Sequence, residues 1–287
     1  MLRQRVLTAI VLLAVLLGTL LAPSPWPLVL LLTVLAACAL WEWLRLTWPR
    51  PGTAWPALLA ILSGFVMAGL AWLWLGDPLQ DGAAALRAAI NQWWMPAVSV
   101  LWVIGASAMV LQGQAQVRKH CAWLSVFGIL AVVAAWAALV QLFTARGAWF
   151  LVSLMALIWF ADIAAYFTGK AFGKHKLAPR VSPGKTWEGA AGGIVAACLW
   201  VVLSARWPGS FGNALIELGS WPLAVVAAAL LAALSIIGDL FESLLKRRAG
   251  VKDSSQLLPG HGGVYDRIDA LLPVAPLAFL LTGGWPS

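Results

Sequence analysis

Long apolar runs broken only by short polar turns recur along the whole chain, and they fix the solvent in which it folds. Crossing the hydrocarbon core of a bilayer takes roughly 17 to 25 predominantly apolar residues. About nine such stretches can be marked, near residues 6–22, 27–46, 55–75, 93–112, 122–144, 148–170, 188–206, 220–246 and 267–283. Between them stand Pro23 and Pro25, Pro49 to Gly52, Gly76 to Pro78, Gly147, and Pro208 to Gly209, residues that end helices and make turns. Charged residues are 10% of the chain and hydrophobic ones 62%, with a mean hydropathy of +0.88, where a soluble domain carries roughly 25% charge. The expectation is an all-α, polytopic integral membrane protein of about nine transmembrane helices. The opening MLRQRVLTAIVLL has the charge and apolar core of a signal peptide, but further spans follow and it reads as a retained first helix.

The net charge of +8 does not point to nucleic acid, because the basic residues sit in short loops between apolar runs, where they orient the chain and attract headgroups or phosphates. With the N-terminus inside, sixteen of the nineteen lysines and arginines fall in inner loops, Arg118 and Lys119 among them, leaving Arg87, Arg146 and Arg206 outside. The positive-inside rule then predicts a multi-pass protein of the cell (inner) membrane with a cytoplasmic N-terminus. Both large polar loops, 171–187 and 247–266, would face the cytoplasm, where nucleotides and magnesium are available. Many of the nineteen tryptophans, including Trp26, Trp48, Trp55, Trp93, Trp94, Trp207, Trp221 and Trp285, stand near span ends as interfacial anchors. Cys38, Cys121 and Cys198 lie inside apolar segments without metal-like spacing and read as small hydrophobes. No internal repeat is evident, which argues against an inverted-repeat transporter of anions.

Chemistry is unevenly spread. Residues 1–145 form a scaffold region whose one acid within a span, Glu42, stands beside Arg45 and reads as locally paired. Residues 146–287 form the catalytic region of the same membrane domain. Asp162 is an ionisable group within a span, a functional hypothesis by default. Asp162, Ala165, Tyr166, Gly169 and Gly173 share a helical face, so a carboxylate and a phenol look along a groove that admits a substrate or another helix. In Ser182-Pro183-Gly184-Lys185-Thr186, Ser182 reads as an N-cap with Pro183 at the first helical position and Lys185 one turn in. That end suits a phosphate, or is an ordinary interfacial cap.

Asp239, Glu242, Ser243 and Lys246 stack on one face of a helix ending near Gly250. The turn Pro259-Gly260-His261-Gly262-Gly263 follows, with His261 either donating to a phosphate or holding the loop through its backbone. The last helix opens with Asp266, Arg267 and Asp269. Aspartates on two helices, each beside a basic cluster, are what a hard divalent cation with phosphates requires. Lysine and arginine would neutralise the remaining phosphate charge. No arrangement of serine, histidine and acid suggests a hydrolytic triad.

From Ser243 through Asp269 the chain resembles the bacterial phosphatidate cytidylyltransferases: Ser, two residues, Lys-Arg, four residues, Lys-Asp, then a Pro-Gly step, His-Gly-Gly and Asp-Arg-x-Asp. The similarity runs upstream through Asp162, Tyr166 and Gly169, the Phe172-Gly173-Lys174-His175-Lys176 string, and Ser182 to Gly189. Ala270 departs from it, standing where a serine is expected. The resemblance implies a dimeric membrane enzyme converting CTP and phosphatidic acid to CDP-diacylglycerol and pyrophosphate, with Mg2+ and a neighbouring K+. It makes Asp239 and Asp266 the metal-binding pair, with Asp269 a further candidate, and Asp239, Asp266 and Lys246 the catalytic residues. Ser182, Lys185, Ser243, Arg247, Lys252, His261, Arg267, Asp162 and Tyr166 would bind substrate. A transferase acting on a prenyl phosphate would use the same metal and phosphate parts.

Overall fold

In lipid a backbone satisfies its polar groups within its own segment, so apolar runs become helices. The computed structural model describes residues 2–48, 50, 52–76, 81–113, 115 and 121–283. Its elements are α1 (Leu2–Leu20), α2 (Trp26–Thr47), α3 (Trp55–Trp74), α4 (Asp81–Gln112), α5 (Ala122–Phe172), strands β1 (Lys176–Ala178) and β2 (Ser182–Thr186), α6 (Trp187–Ser204), α7 (Phe211–Glu217), α8 (Trp221–Ala249), α9 (Tyr265–Ile268) and α10 (Leu271–Leu281). Among the described residues six helices, α2 to α6 and α8, are long and apolar enough to cross a membrane. That is fewer than the nine stretches marked in the sequence. The apolar part of α1, Val6–Leu20, and the 11-residue α10 are shorter, and α5 joins two of the expected stretches. Pro49, Pro51, Asp77, Pro78, Arg118, Lys119 and Trp285 lie outside the described residues.

Three helices, α2, α3 and α8, begin with Trp-Pro. Proline fits the first turn, where its missing N–H has no helical partner to lose. In α4, i→i+5 stretches at Ile90–Trp94 and Leu101–Ala106 flank the turn containing Pro96.

The 51-residue α5 is broken at Gly147, whose φ of 83° and ψ of −179° lie in a region open essentially to glycine alone. The indole of Trp43 donates to Leu124 O at 2.9 Å, and that of Trp136 to Thr33 Oγ1 at 2.9 Å, so the first half of α5 runs antiparallel to α2. The indole of Trp200 donates to Ser153 O at 2.8 Å while a Cβ on Gly169 would meet Thr186 Oγ1, so the second half runs antiparallel to α6. Trp43 packs on Phe241 and Lys185 pairs with Asp239 two residues away, so Leu124 and Gly169 lie towards the same end and α5 folds back at Gly147. At the opposite end Arg146 donates to Thr282 O at 3.1 Å.

Small residues set the contact between α5 and α6. A Cβ on Gly189 would come within 2.8 Å of Ala165 O, and one on Gly193 within 2.8 Å of Ala161 O. The face containing Ala165 and Gly169 is thus occupied by a neighbouring helix, one of its two sequence readings. Under the polar end, Trp43 packs with Trp102, Phe127, Phe241 and Tyr265, its ring centroid 5.1 to 6.1 Å from theirs. These aromatic groups join α2, α4, α5, α8 and α9 into one core.

The segment expected to begin a helix at Ser182 is a strand instead. β1 and β2 pair antiparallel, Lys176 opposite Thr186 and Ala178 opposite Ser182. The helix starts at Trp187, and its cap is Thr186, extended at φ −128° and ψ 156°, whose hydroxyl accepts from Gly189 N at 3.1 Å. Glu188 closes the hairpin by accepting from Lys174 N and His175 N, with His175 Nδ1 2.6 Å from its Oε1.

Candidate active site

Gly238 decides where the site forms. A Cβ there would lie 2.6 Å from Asp269 O and 2.9 Å from Pro273, so only glycine lets the junction of α9 and α10 lie against α8. The next residue is Asp239. Oxygens of Asp239, Glu242 and Asp269 lie within 4.8 Å of one another, with Glu242 buried and the other two half-buried. Three hard oxygen donors that close suit a divalent cation such as Mg2+, whose charge would relieve their mutual repulsion. Lys185, at the end of β2, places Nζ 2.7 Å from Asp239 Oδ2. Asp162, on the second half of α5, lies within electrostatic reach of both.

Asp266 is held differently. Lys246 Nζ bridges Asp266 Oδ1 at 2.8 Å and Glu242 Oε1 at 2.7 Å. Asp266 Oδ2 accepts from Gly263 N at 2.7 Å, Ser254 Oγ at 3.0 Å and Ser254 N at 3.1 Å. These bonds fix the Asp266 carboxylate between α8 and the loop that precedes α9. The expected Asp239–Asp266 pair thus sits in one site with Lys246 between its halves, while the acids grouped with Asp239 are Glu242 and Asp269.

The other expected residues surround this centre. Ser243 is half-buried on α8, and Arg247 Nε reaches Val181 O at 3.4 Å, tying α8 to the hairpin. Lys252 is exposed in the loop after α8, and Tyr166 is 63% exposed, edge-on to Phe167. Arg267 Nε donates to His261 O at 3.1 Å and His261 N donates to Leu258 O at 2.8 Å, so the backbone of His261 holds the loop. Its Nδ1 is buried without a hydrogen-bond partner.

Glu42 does not pair with Arg45, contrary to the expectation from sequence. Arg45 lies over the Trp41 ring at 4.6 Å, whereas the fully buried Glu42 accepts from Ser254 Oγ (2.9 Å), Ser255 Oγ, Val264 N (3.0 Å) and Tyr265 N (2.6 Å). The scaffold region thus contributes a side chain that holds the loop before Asp266.

Beside the centre lies an apolar cavity of about 400 Å³, bordered by Leu111, Gly113, Trp187, Ile237 and Leu240, with Arg180 at its edge against Gly113.

A model of the Cytidylyltransferase family matches residues 3–283. The chain is 39% identical over 294 residues to the phosphatidate cytidylyltransferase of Pseudomonas aeruginosa, covering 99% of each chain. To that of Haemophilus influenzae it is 34% identical over 290 residues, 96% of each. To that of Brucella suis it is 50% identical over 130 residues, 45% of each. With acids, lysines and a helix-bound glycine-rich loop gathered at one end of a membrane bundle, and with similarity along nearly its whole length, the chain belongs to the cytidylyltransferase family.

Proposed function

We infer that this chain transfers CMP from CTP to phosphatidate, giving CDP-diacylglycerol and pyrophosphate for phospholipid synthesis. The observation that carries the reading is the near full-length similarity to phosphatidate cytidylyltransferases. A phosphatidate phosphate oxygen attacks the α-phosphorus of CTP as the bond to pyrophosphate breaks. The nucleophile is already anionic, so no strong base is needed, and the protein's work is alignment and neutralisation of phosphate charge. Lys185 and Lys246 flank the acid group and supply that neutralisation, with Arg247, Lys252 and Arg267 nearby. Ser182, Ser243, Asp162, Tyr166 and the orphaned Nδ1 of His261 are further substrate contacts. The apolar cavity suits an acyl chain, with Arg180 at its edge to meet the lipid phosphate.

Asp239 and Asp269, with Glu242, would hold Mg2+, which when bound offsets charge on the nucleotide phosphates and the leaving pyrophosphate. A K+ beside it rests on the family resemblance alone.

Nine crossings are proposed: the six long helices, a second from the fold-back of α5 at Gly147, α1, and α9 with α10, which run to the level of Arg146. The positive-inside count supports a cytoplasmic N-terminus and a site facing the cytoplasm of the inner membrane. The homodimer rests on the family resemblance.

Purified protein given labelled CTP, phosphatidic acid and Mg2+ should label CDP-diacylglycerol in the lipid extract. Label entering only when a prenyl phosphate replaces phosphatidate would overturn the reading. Asp239→Asn and Asp269→Asn should each lower turnover about 100-fold or more and raise the Mg2+ requirement, with the double variant little worse than either. Asp266→Asn should lower turnover without moving the Mg2+ dependence. A shifted dependence would put Asp266 in the ion's shell, as first expected from the sequence.

A further inference from the structure

We propose that Glu42 is a positioning residue for nucleotidyl transfer: from α2 it clamps residues 254–265 so that Asp266 and Asp269 face Asp239. The inference rests on the reaction assigned above and concerns a residue outside the acid group and outside the motifs that carry the resemblance.

The clamp is complete. Each carboxylate oxygen takes two donors, Ser255 Oγ and Val264 N on Oε1, Ser254 Oγ and Tyr265 N on Oε2. The side chain has no exposed surface. A buried carboxylate carries a heavy desolvation cost that only full, charge-assisted bonding offsets. Packing of α2 alone would be served here by leucine, so the acid is explained by what it holds.

What it holds is one bond from the chemistry. The Ser254 hydroxyl lies 2.9 Å from Glu42 Oε2 and 3.0 Å from Asp266 Oδ2 and has a single proton to share between them. Val264 and Tyr265 immediately precede Asp266, and the ring of Tyr265 packs at 5.1 Å on Trp43, the residue after Glu42. A Cβ on Gly263 would run into both Ser254 and Glu42, so the loop lies directly on the carboxylate. Displacing this stretch would carry Asp266 away from Lys246, and Asp269 away from Asp239, without altering a group that touches substrate.

The test uses full-length enzyme in detergent. Glu42→Gln keeps the shape but turns an acceptor into a donor facing donors. Its kcat should fall about 10- to 100-fold, the effect of losing a hydrogen bond to a charged group, with KM for CTP within about twofold. Hydrogen exchange of the Val264 and Tyr265 amides should accelerate while α8 stays protected. Glu42→Asp should recover part of both. Wild-type kcat in Glu42→Gln or Glu42→Leu overturns the proposal. So does exchange that rises throughout α2 and α8, the mark of a merely structural residue. If Glu42→Gln does not accumulate folded, Ser255→Ala removes one donor only, and unchanged exchange and kcat there overturn it equally. Exchange needs no substrate, so a failed clamp is distinguishable from a wild-type enzyme that makes no CDP-diacylglycerol.

Discussion

Lys185 meets Asp239 at 2.7 Å with both side chains about a third exposed, so the pair is open to substrate. The role proposed for Lys185 is positive charge near phosphate rather than proton transfer. Lys185→Arg should keep part of the activity, whereas Lys185→Gln should raise KM for CTP about tenfold or more, the scale of one charge-assisted contact. Steady-state kinetics at varied CTP checks this, and unchanged kinetic parameters in Lys185→Gln would leave the lysine with a hairpin role alone. At this scale the sequence is readable where partners share a helix. Asp239, Glu242 and Lys246 stack by spacing, and Gly250 ends the helix with φ of 72°. Glu42 is unreadable, because the neighbour in sequence, Arg45, is not the neighbour in space. Thr186 offered a weak signal as a cap residue with Glu188 in the first turn, but Ser182-Pro183 gave a stronger competing one.

Helices meet here through missing side chains. At the α5–α6 crossing, Gly189 and Gly193 face the carbonyls of Ala165 and Ala161, and the bilayer supplies no hydrophobic drive to force them together. Gly193→Leu should therefore destabilise by about 1–3 kcal/mol through overpacking. Gly105→Ala, in α4 with nothing within 4 Å of the new Cβ, should leave thermal unfolding in detergent unchanged or slightly raised. Equal behaviour of the two would remove the packing account. The face of small residues was legible in the sequence, but not its occupant, since a groove for lipid and a seam for a helix need the same glycines. The hairpin was hidden because Ser-Pro is common at helix starts and the strand pairing depends on residues 176–178 folding back.

For the whole molecule, Thr47, Gly113, the hairpin and the loop after α8 gather at the site end, while Arg146 and Thr282 meet at the other. A single cysteine placed in residues 171–187, with Cys38, Cys121 and Cys198 replaced, should be labelled only from the cytoplasmic side. Labelling from outside in intact cells would invert the orientation and the site with it. Hydropathy made the bundle legible because the solvent demands helices; which helices touch depends on side-chain fit that no single segment encodes. Glu42 adds a matter of timing. A ribosome delivers it to the bilayer 212 to 223 residues before the groups that will hold it. Its place about 8 Å from the end of α2 lets it wait near the headgroups, solvated, while the remaining spans insert. Only when residues 254–265 close over α2 can that end of the early helices lose its water. Closure on Glu42 is thus a late event of folding, completed by a segment translated long after the helix it covers.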